Sequence, residues 1–204
     1  MSKQSKTWLK QHARDPYVKR ARGDAFRARA VYKLQEIDQK DRLFKTGQTV
    51  VDLGAAPGSW SQYAARRVGP AGTVVALDVL EMEPVNNVQF IQGDFTEEDT
   101  LAACLAVLGE RKADLVISDM APNLSGIRDA DQARSLYLAE LALDFAGRVL
   151  NPGGDLLVKI FEGTGVDRYR EQLSESFQKV IIRKPKASRD RSREFYMLAR
   201  GYDV

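Results

Sequence analysis

Residues 50–60, VVDLGAAPGSW, constrain the fold of this chain more than any other segment. The apolar run Val50 to Leu53 predicts a buried strand, Gly54 to Gly58 a tight loop, and the residues from Ser59 a helix. Such a unit places a ligand at the carboxyl end of a parallel strand. The loop departs from the dinucleotide pattern G-x-G-x-x-G, because alanines replace the middle glycine and Pro57 has no N–H to offer a phosphate. We therefore predict a neutral or cationic ligand rather than a diphosphate.

Acidic residues stand at the carboxyl ends of the predicted strands. After the first strand, segments 73–77, 89–92 and 114–118 have the apolar character of strands, and an aspartate closely follows each. Because these ends share one sheet edge, we expect a cluster formed by Asp52, Asp78, Asp94 and Asp119. Such an edge repels a diphosphate and attracts a sulfonium nucleoside such as S-adenosylmethionine, and Asp78 stands where a carboxylate can bind ribose hydroxyls. For any single aspartate, capping of the next helix remains the alternative.

The composition is that of an ordinary single domain. The chain has 204 residues, of which 44% are apolar and 29% charged, and this length suits one domain of about 100–200 residues. No apolar run approaches the roughly 18 residues of a membrane span, and the N-terminus is too polar for a signal peptide. One cysteine, Cys104, and one histidine, His12, exclude a disulfide framework and a cysteine or histidine metal cluster. We expect a cytoplasmic protein without a metal ion, and a monomer by default.

Positive charge is concentrated near the two ends of the chain. Residues 1–45 carry a net charge of +8 and residues 179–200 a net charge of +6, whereas residues 46–178 carry −10. Dense basic segments usually contact phosphates. We predict a basic, partly flexible N-terminal arm for RNA contact over residues 1–29, followed by one domain over residues 30–204.

Two parts of the basic segments favour RNA binding over a merely solvated face. Tyr17 and Phe26 stand among the charges of the arm, as aromatic residues do on nucleic-acid surfaces. The second segment, RKPKASRDRSR at residues 183–193, lies between two strand-like segments. We therefore predict that it is a loop held in place by the sheet.

Strands and helices alternate along the chain. Helices are predicted near residues 30–39, 59–68, 97–108, 130–150 and 166–177, a fifth strand over 155–161, and a final strand pair at 180–182 and 195–199. The residues Asn-Pro-Gly-Gly after Leu150 are a strong helix stop. This order predicts an α/β, Rossmann-like fold with a seven-stranded, mostly parallel sheet and helices on both faces.

Lys159 interrupts the fifth strand, LLVKIF, where a lysine is costly unless it is paired. Asp119 ends the neighbouring predicted strand and can supply that partner. Lys33, in the helix before the first strand, and Glu194, at the start of the last strand, can reach the same region. Each of these alone is more simply a surface charge, and Lys159 could extend to the rim of the sheet. Their joint arrangement is what indicates a site.

Four segments resemble the RrmJ/FtsJ family of ribosomal RNA 2′-O-methyltransferases: VVDLGAAPGSWSQ, SDMAPNLSG, NPGGDLLVKIF and RKPKASRDRSREFY. The resemblance extends from about Trp8 to Ala199. It implies a class I S-adenosylmethionine-dependent methyltransferase fold and a catalytic tetrad, which by motif position is Lys33, Asp119, Lys159 and Glu194. It also implies cofactor contacts at Gly58, Trp60, Asp78, Asp94 and Asp119, to which the loop and strand pattern adds Asp52 and Gly54. Ser59 stands where the family often has a second glycine.

The resemblance implies that the substrate is a uridine ribose in the A-loop of 23S rRNA, within the large ribosomal subunit. A ribose 2′-hydroxyl is a weak acid, so its attack on a sulfonium methyl needs alignment and removal of a proton. We interpret Lys159 as the general base or hydroxyl-steering group, oriented by Asp119. Lys33 and Glu194 would position the ribose and its neighbours.

Other activities fit the residues less well. Exocyclic-amine methylases resemble D/N-P-P-Y/F, whereas Asp119 is followed by Met-Ala-Pro with no aromatic residue to stack on a flipped base. Pyrimidine C5 methylation needs a cysteine nucleophile, and Cys104 lies within LAACLAVL, a core pattern. A tRNA ribose methyltransferase and a noncatalytic ribosome assembly factor with a cofactor pocket remain alternatives. A nicotinamide-dependent dehydrogenase is disfavoured by the altered glycine pattern and the acidic edge.

Overall fold

One seven-stranded sheet runs through the protein, and the computed structural model describes residues 15–122, 125–189 and 192–203. The strands are β1 (Thr49–Leu53), β2 (Thr73–Asp78), β3 (Val88–Gln92), β4 (Ala113–Ser118), β5 (Leu150–Phe161), β6 (Phe177–Arg183) and β7 (Glu194–Tyr202). Their order in the sheet is β3-β2-β1-β4-β5-β7-β6. The first five are parallel, and β7 is antiparallel to both β5 and β6. The predicted Rossmann-like architecture is confirmed.

Helices cover both faces of this sheet. They are α1 (Pro16–Gly23), α2 (Val31–Asp41), α3 (Ser59–Val68), α4 (Glu98–Leu108), α5 (Arg128–Val149) and α6 (Val166–Ser176). The first three contribute to one hydrophobic cluster, which contains Leu34 and Trp60. The last three contribute to the other cluster, which contains Cys104 and Phe145. Each large apolar side chain buried in these layers contributes about 1.5–3 kcal/mol to folding.

The interior strand β1 is buried at every position, as expected for a parallel strand covered on both faces. Its sequence TVVDL is apolar at Val50, Val51 and Leu53, and Asp52 is the only acid in it. Because β1 lies between β2 and β4, its carboxyl end is the centre of the sheet edge at which the predicted aspartates lie.

The N-terminal boundary of β5 differs from the prediction. We expected the helix to be followed by a turn over residues 151–154 and a strand from Asp155, but β5 begins at Leu150, directly after α5. The pairing of β5 with β4 shifts register between Ala113 and Leu115. This irregularity accommodates Gly153, whose φ of +83° is typical of glycine. The helix stop was therefore interpreted correctly, but the extent of the strand was wrong.

A buried carboxylate holds α2 against α3. Asp38 is 2% exposed, and it accepts hydrogen bonds from the Tyr63 hydroxyl at 2.7 Å and from the Phe44 amide at 3.1 Å. Arg67 adds an ion pair with the same carboxylate at 2.9 Å. Since buried polar groups are costly unless they are paired, this network fixes α2, the helix that carries Lys33.

Within the described residues, α5 is the longest helix at 22 residues, and none of the helices there has the length and apolar character to span a membrane.

Candidate active site

Lys159 and Asp119 form the first of two buried ion pairs. Lys159 lies on the same face of the sheet as Leu157, which is the face covered by helices α1, α2 and α3. The neighbouring strand β4 ends at Ser118. This places Asp119 beside the lysine: the Nζ of Lys159 is 3.0 Å from the Oδ1 of Asp119 and also donates to the Asp119 carbonyl oxygen. The Lys159 side chain is only 6% exposed. The predicted pairing of these two residues is present.

Lys33 and Glu194 form the second ion pair. The Nζ of Lys33, on α2, lies 2.6 Å from the Oε1 of Glu194, the first residue of β7, and both side chains are largely buried. The two pairs share one face of the sheet, because Lys159 is directly opposite Tyr196 and Glu194 is directly opposite Phe161 in the antiparallel β5–β7 ladder. The structure therefore places all four predicted tetrad residues on or against this face.

Tyr196 is a site residue that the sequence analysis missed. Its hydroxyl donates to the Oδ1 of Asp119 at 2.6 Å, the same oxygen that faces Lys159. Burial raises its pKa well above the usual value, and the negative charges of Asp119 and Glu194 act in the same direction. The phenol is therefore a permanent hydrogen-bond donor. The sequence signal that could have revealed Tyr196 is the alternation of side chains along a strand, because Tyr196 stands two residues after Glu194 and therefore lies on the same face.

A cleft of about 480 Å³ opens at the carboxyl ends of the central strands, and four of the predicted cofactor residues line it: Gly54, Asp78, Asp94 and Asp119. Its volume falls within the range of about 300–1,000 Å³ that is usual for small-molecule sites. Asp119 therefore belongs both to the cleft and to the ion pair with Lys159, so the two sites are continuous. A ligand in this cleft would lie next to the charged cluster.

Gly54 allows the close approach of the loop to the opposite wall. Its φ is +70°, and a Cβ at this position would lie 2.3 Å from the Cγ of Met120. Its amide also donates to the carbonyl oxygen of Leu77 at 2.9 Å. Both the backbone angle and the lack of space restrict this position to glycine.

The cleft aspartates already organise the loops around them. The two carboxylate oxygens of Asp78 accept the amides of Ala56 at 2.9 Å and Leu80 at 2.8 Å. Asp94 accepts from the amide and hydroxyl of Thr96, at 2.9 and 2.7 Å. A carboxylate has about four lone-pair sites, so these contacts leave acceptor capacity for ligand hydroxyl groups.

Asp52 lies beneath the cleft rather than in its wall. Its side chain is buried, and its Oδ2 accepts a hydrogen bond from the Ser61 hydroxyl at 2.6 Å. Burial raises the pKa of this carboxyl to about 7, the charges of Asp119 and Asp78 contribute in the same direction, and the Ser61 hydrogen bonds oppose the shift. The predicted acidic cluster therefore has one member in the core below the three that line the cleft.

Gly58 is the N-cap of α3 and Trp60 stands in its first turn, and neither residue is in the lining of the cleft. The Trp60 indole N–H donates to the Ala30 carbonyl at 2.9 Å, and its ring packs against Tyr196 with 5.8 Å between centroids. The first amides of a helix have no partner within the helix. Any cofactor contact by Trp60 would thus use its backbone amide, while its side chain supports the residues around Lys159.

The basic arm is partly folded onto the domain. Residues 1–14 lie outside the described residues, and α1 follows them, with Lys19, Arg20 and Arg22 exposed. Phe26 is buried, and the Arg66 guanidinium covers its ring at 4.3 Å. The interpretation of Phe26 as an aromatic residue available to nucleic acid is therefore wrong, because its ring is used in packing.

The second basic segment connects β6 to β7, as predicted, and acids of α2 anchor it. The Glu36 carboxylate accepts the amides of Lys186 and Ala187, at 2.6 and 2.9 Å. Arg183 makes two hydrogen bonds with Asp41, at 2.6 and 2.7 Å. Arg29 joins the two basic segments by donating to the carbonyl of Ala187. Side chains that remain exposed in the loop include those of Lys184, Lys186 and Arg189.

A family model described as FtsJ-like methyltransferase matches residues 26–202. The chain belongs to the FtsJ-like methyltransferase family. The match contains all four tetrad positions and the whole cleft, so the charged cluster and the cleft of this FtsJ-like methyltransferase are parts of one enzyme domain.

Curated relatives match this FtsJ-like chain along nearly its full length. A protein of Pseudomonas paraeruginosa named ribosomal RNA large subunit methyltransferase E is 60% identical over 201 residues, covering 98% of this chain and 97% of the relative. A protein of the same name from Alkalilimnicola ehrlichii is 60% identical over 200 residues, with 98% and 96% covered. A solved structure from Plasmodium falciparum, named as a putative ribosomal RNA methyltransferase, has a TM-score of 0.79 at 30% identity, and the similarity covers 87% of this chain and 98% of that one.

Cys104 is not a reactive group in this FtsJ-like fold. Its thiol is buried in the core, and burial raises its pKa to about 11. A thiol in such surroundings is inert, which confirms that Cys104 is a core residue.

Proposed function

We propose that this protein is an S-adenosylmethionine-dependent ribose 2′-O-methyltransferase whose substrate is a uridine of 23S rRNA in the large ribosomal subunit. The observation that carries the proposal is the position of Asp119, which lines the cofactor-sized cleft and is also paired with the buried Lys159. A methyl donor in the cleft and a hydroxyl beside Lys159 would then meet at one carboxylate. The relatives' names support rRNA of the large subunit as the substrate class.

The residues of the cleft fit S-adenosylmethionine. Asp78 and Asp94 offer carboxylate oxygens to nucleoside hydroxyls, and Gly54 lets the backbone approach the ligand. The local negative charge favours a sulfonium cation over a diphosphate. When bound, this cofactor supplies an activated methyl group. The amides of the first turn of α3, which includes Trp60, would add hydrogen-bond donors.

Lys159 is the residue that would contact the ribose 2′-hydroxyl. Its Nζ contacts two oxygens of Asp119, the Oδ1 and the backbone carbonyl oxygen, and these contacts fix the direction of the amine. An amine so fixed can align the hydroxyl oxygen and, when it is neutral, accept the hydroxyl proton on its nitrogen as the oxygen attacks the methyl group. Asp119 orients the amine and offsets the positive charge of its protonated form, and the Tyr196 hydroxyl donates to the same Asp119 oxygen.

Lys33 and Glu194 would position the ribose and its neighbours. They are fixed by their own ion pair and by two different elements, α2 and β7. Positions supported in this way keep reacting groups aligned, which alone can accelerate a reaction by orders of magnitude.

The exposed basic residues of α1 and of the β6–β7 loop would contact RNA phosphates, together with the predicted arm over residues 1–29. Their connection through Arg29, which pairs with Asp15 at 2.6 Å and donates to Ala187, makes these two segments one surface. Phosphate contacts of this kind weaken steeply with salt. A ribosomal substrate would place the protein in the cytoplasm, and we infer that it acts there as a monomer without a bound metal ion.

Transfer of labelled methyl from S-adenosylmethionine tests the proposal. Three acceptors are compared: undermethylated large subunits, deproteinised 23S rRNA and bulk tRNA. The product should be a nucleotide pair resistant to alkaline hydrolysis, because a 2′-O-methyl group blocks attack on the adjacent phosphodiester. Label in alkali-sensitive nucleotides would overturn ribose methylation. Label in tRNA alone would show that tRNA, and not rRNA, is the substrate. Lack of transfer to all three acceptors would favour the noncatalytic assembly role.

A further inference from the structure

Arg27 does not extend into solvent as Arg22 of the same segment does. Its guanidinium donates to three backbone carbonyl oxygens: Pro57 at 3.0 Å, Glu83 at 2.6 Å and Pro84 at 2.7 Å. Hydrogen bonds from a charged donor are roughly twice as strong as neutral ones. A single side chain of the N-terminal basic segment thus joins two loops that are remote from it in sequence.

Both loops contribute residues to the lining of the cofactor cleft. Pro57 belongs to the Gly54–Gly58 loop, whose first residue lines the cleft. Glu83 and Pro84 belong to the connection from β2 to β3, which starts with the cleft residues Val79 and Leu80. The Arg27 fork therefore fixes the separation of the loops that would enclose the cofactor.

The backbone of Arg27 is itself fixed to the domain. Its amide donates to the Oε1 of Gln62 on α3 at 3.0 Å, and the preceding Phe26 is buried. The space around Gly58 is equally restricted, since a Cβ there would lie 2.9 Å from the Nη1 of Arg27 and 2.8 Å from the Sδ of Met82. The contact between the arm and the loop is therefore close-packed.

We propose that Arg27 is a positioning residue for the methyl donor and couples RNA binding by the basic N-terminal segment to the cofactor cleft. This inference rests on the proposed function, which supplies the cofactor and the RNA. RNA bound to the segment would hold the Arg27 fork in place, and the fork holds both loops in the binding geometry. By reciprocity, a filled cleft favours the RNA-competent position of the segment to the same extent.

The charge of Arg27 and its fork geometry have separable effects. Arg27→Lys keeps the charge, but an ammonium is a compact donor that cannot reproduce the planar fork. Arg27→Ala removes both. Arg111 provides the control, since it is an exposed arginine in the connection from α4 to β4, outside the basic segments, and it makes no side-chain hydrogen bond or ion pair with any residue the structure describes.

Equilibrium dialysis with labelled S-adenosylhomocysteine measures the first effect without RNA. We expect Arg27→Ala and Arg27→Lys to raise the Kd at least about tenfold, and Arg111→Ala to leave it unchanged. Urea unfolding establishes whether the variants are folded. If Arg27→Ala is not folded, Arg27→Lys still provides the test. Wild-type affinity in Arg27→Lys would overturn the positioning role.

Repeating the titration with saturating undermethylated large subunits measures the coupling. Wild type and Arg111→Ala should bind S-adenosylhomocysteine several-fold more tightly with subunits than without them, and this ratio should fall to about one in Arg27→Lys. A wild-type ratio of one would overturn the coupling. Failure of the wild type to bind S-adenosylhomocysteine at all would instead refute the proposed function, and the inference with it.

Discussion

The hydroxyl of Tyr196 donates to the same carboxylate oxygen of Asp119 that faces the Lys159 ammonium. One oxygen of Asp119 is therefore held by two donors, the neutral Tyr196 phenol on β7 and the Lys159 cation on β5. Trp60 packs against the Tyr196 ring and thereby connects this arrangement to α3 and the glycine loop. The orientation of Lys159 consequently depends on a residue outside the predicted tetrad.

Tyr196→Phe should lower kcat about tenfold, because it removes one charge-assisted hydrogen bond to Asp119. The ring and its packing on Trp60 are preserved, so KM for the cofactor and the urea midpoint should change little. Steady-state kinetics with undermethylated subunits measure this difference. A kcat equal to that of the wild type would show that Asp119 is held sufficiently by Lys159 alone.

Lys33 and Glu194 should behave as a coupled pair in a double-mutant cycle. Removing one member leaves the other charge largely buried without its partner, which costs about 1–3 kcal/mol in unfolding free energy after allowance for partial exposure. The double variant Lys33→Met, Glu194→Gln should cost less than the two single changes together. Urea denaturation of all four proteins gives the interaction energy, and additive effects would argue against the pair.

Stability should fall as pH rises toward neutrality because of Asp52. The folded-state pKa of about 7 exceeds the ordinary value of 3.8, so between these values the folded protein retains a proton that the unfolded chain has released. This contribution is fully present below pH 4 and is lost as pH rises through about 7. Asp52→Asn keeps an acceptor for Ser61 but has no such titration. As pH rises from 4 to 8, the free energy of unfolding of this variant should increase relative to that of the wild type by on the order of a few kcal/mol. Urea unfolding measures this difference. If the difference in unfolding free energy between the two proteins stays constant across that pH range, the raised pKa of Asp52 is contradicted.

Gly54→Ala should abolish or strongly weaken cofactor binding while leaving a folded protein. The new methyl group would collide with Met120, and the positive φ disfavours any side chain. We expect the Kd for S-adenosylhomocysteine to rise at least about tenfold. Gly109→Ala is the control, since its φ is also positive at +61° but a Cβ there meets nothing within 4 Å. Equal effects of the two substitutions on the Kd would exclude a steric cause in the cleft.

The order of strands and helices could be predicted because periodicity and stop signals act locally. β1, β2 and β4 were found within a residue or two because parallel strands buried on both faces are continuous apolar runs. The beginning of β5 could not be predicted, since Asn-Pro-Gly-Gly indicates a turn in isolation and is drawn into the sheet only by pairing with β4.

The charged residues of the site were predictable for a different reason. Lys159 is conspicuous in sequence because an apolar strand tolerates a lysine only with a partner. Tyr196 and Trp60 are aromatic residues next to buried positions, so their sequence context is that of any core residue. The role of Arg27 depends on three carbonyl oxygens contributed by distant loops, and nothing in a basic segment distinguishes it from a phosphate contact.

The central claim is that Lys159, held by Asp119, acts on the ribose hydroxyl. The most direct measurement is the single-turnover rate of 2′-O-methyl transfer to undermethylated subunits, with saturating cofactor, for Lys159→Ala and for Lys179→Ala, an exposed lysine on the edge strand β6. We predict a loss of about 100-fold or more in the first variant, with the affinity for S-adenosylhomocysteine retained, and a wild-type rate in the second. Near-normal turnover by Lys159→Ala, with both ligands bound, would contradict the account.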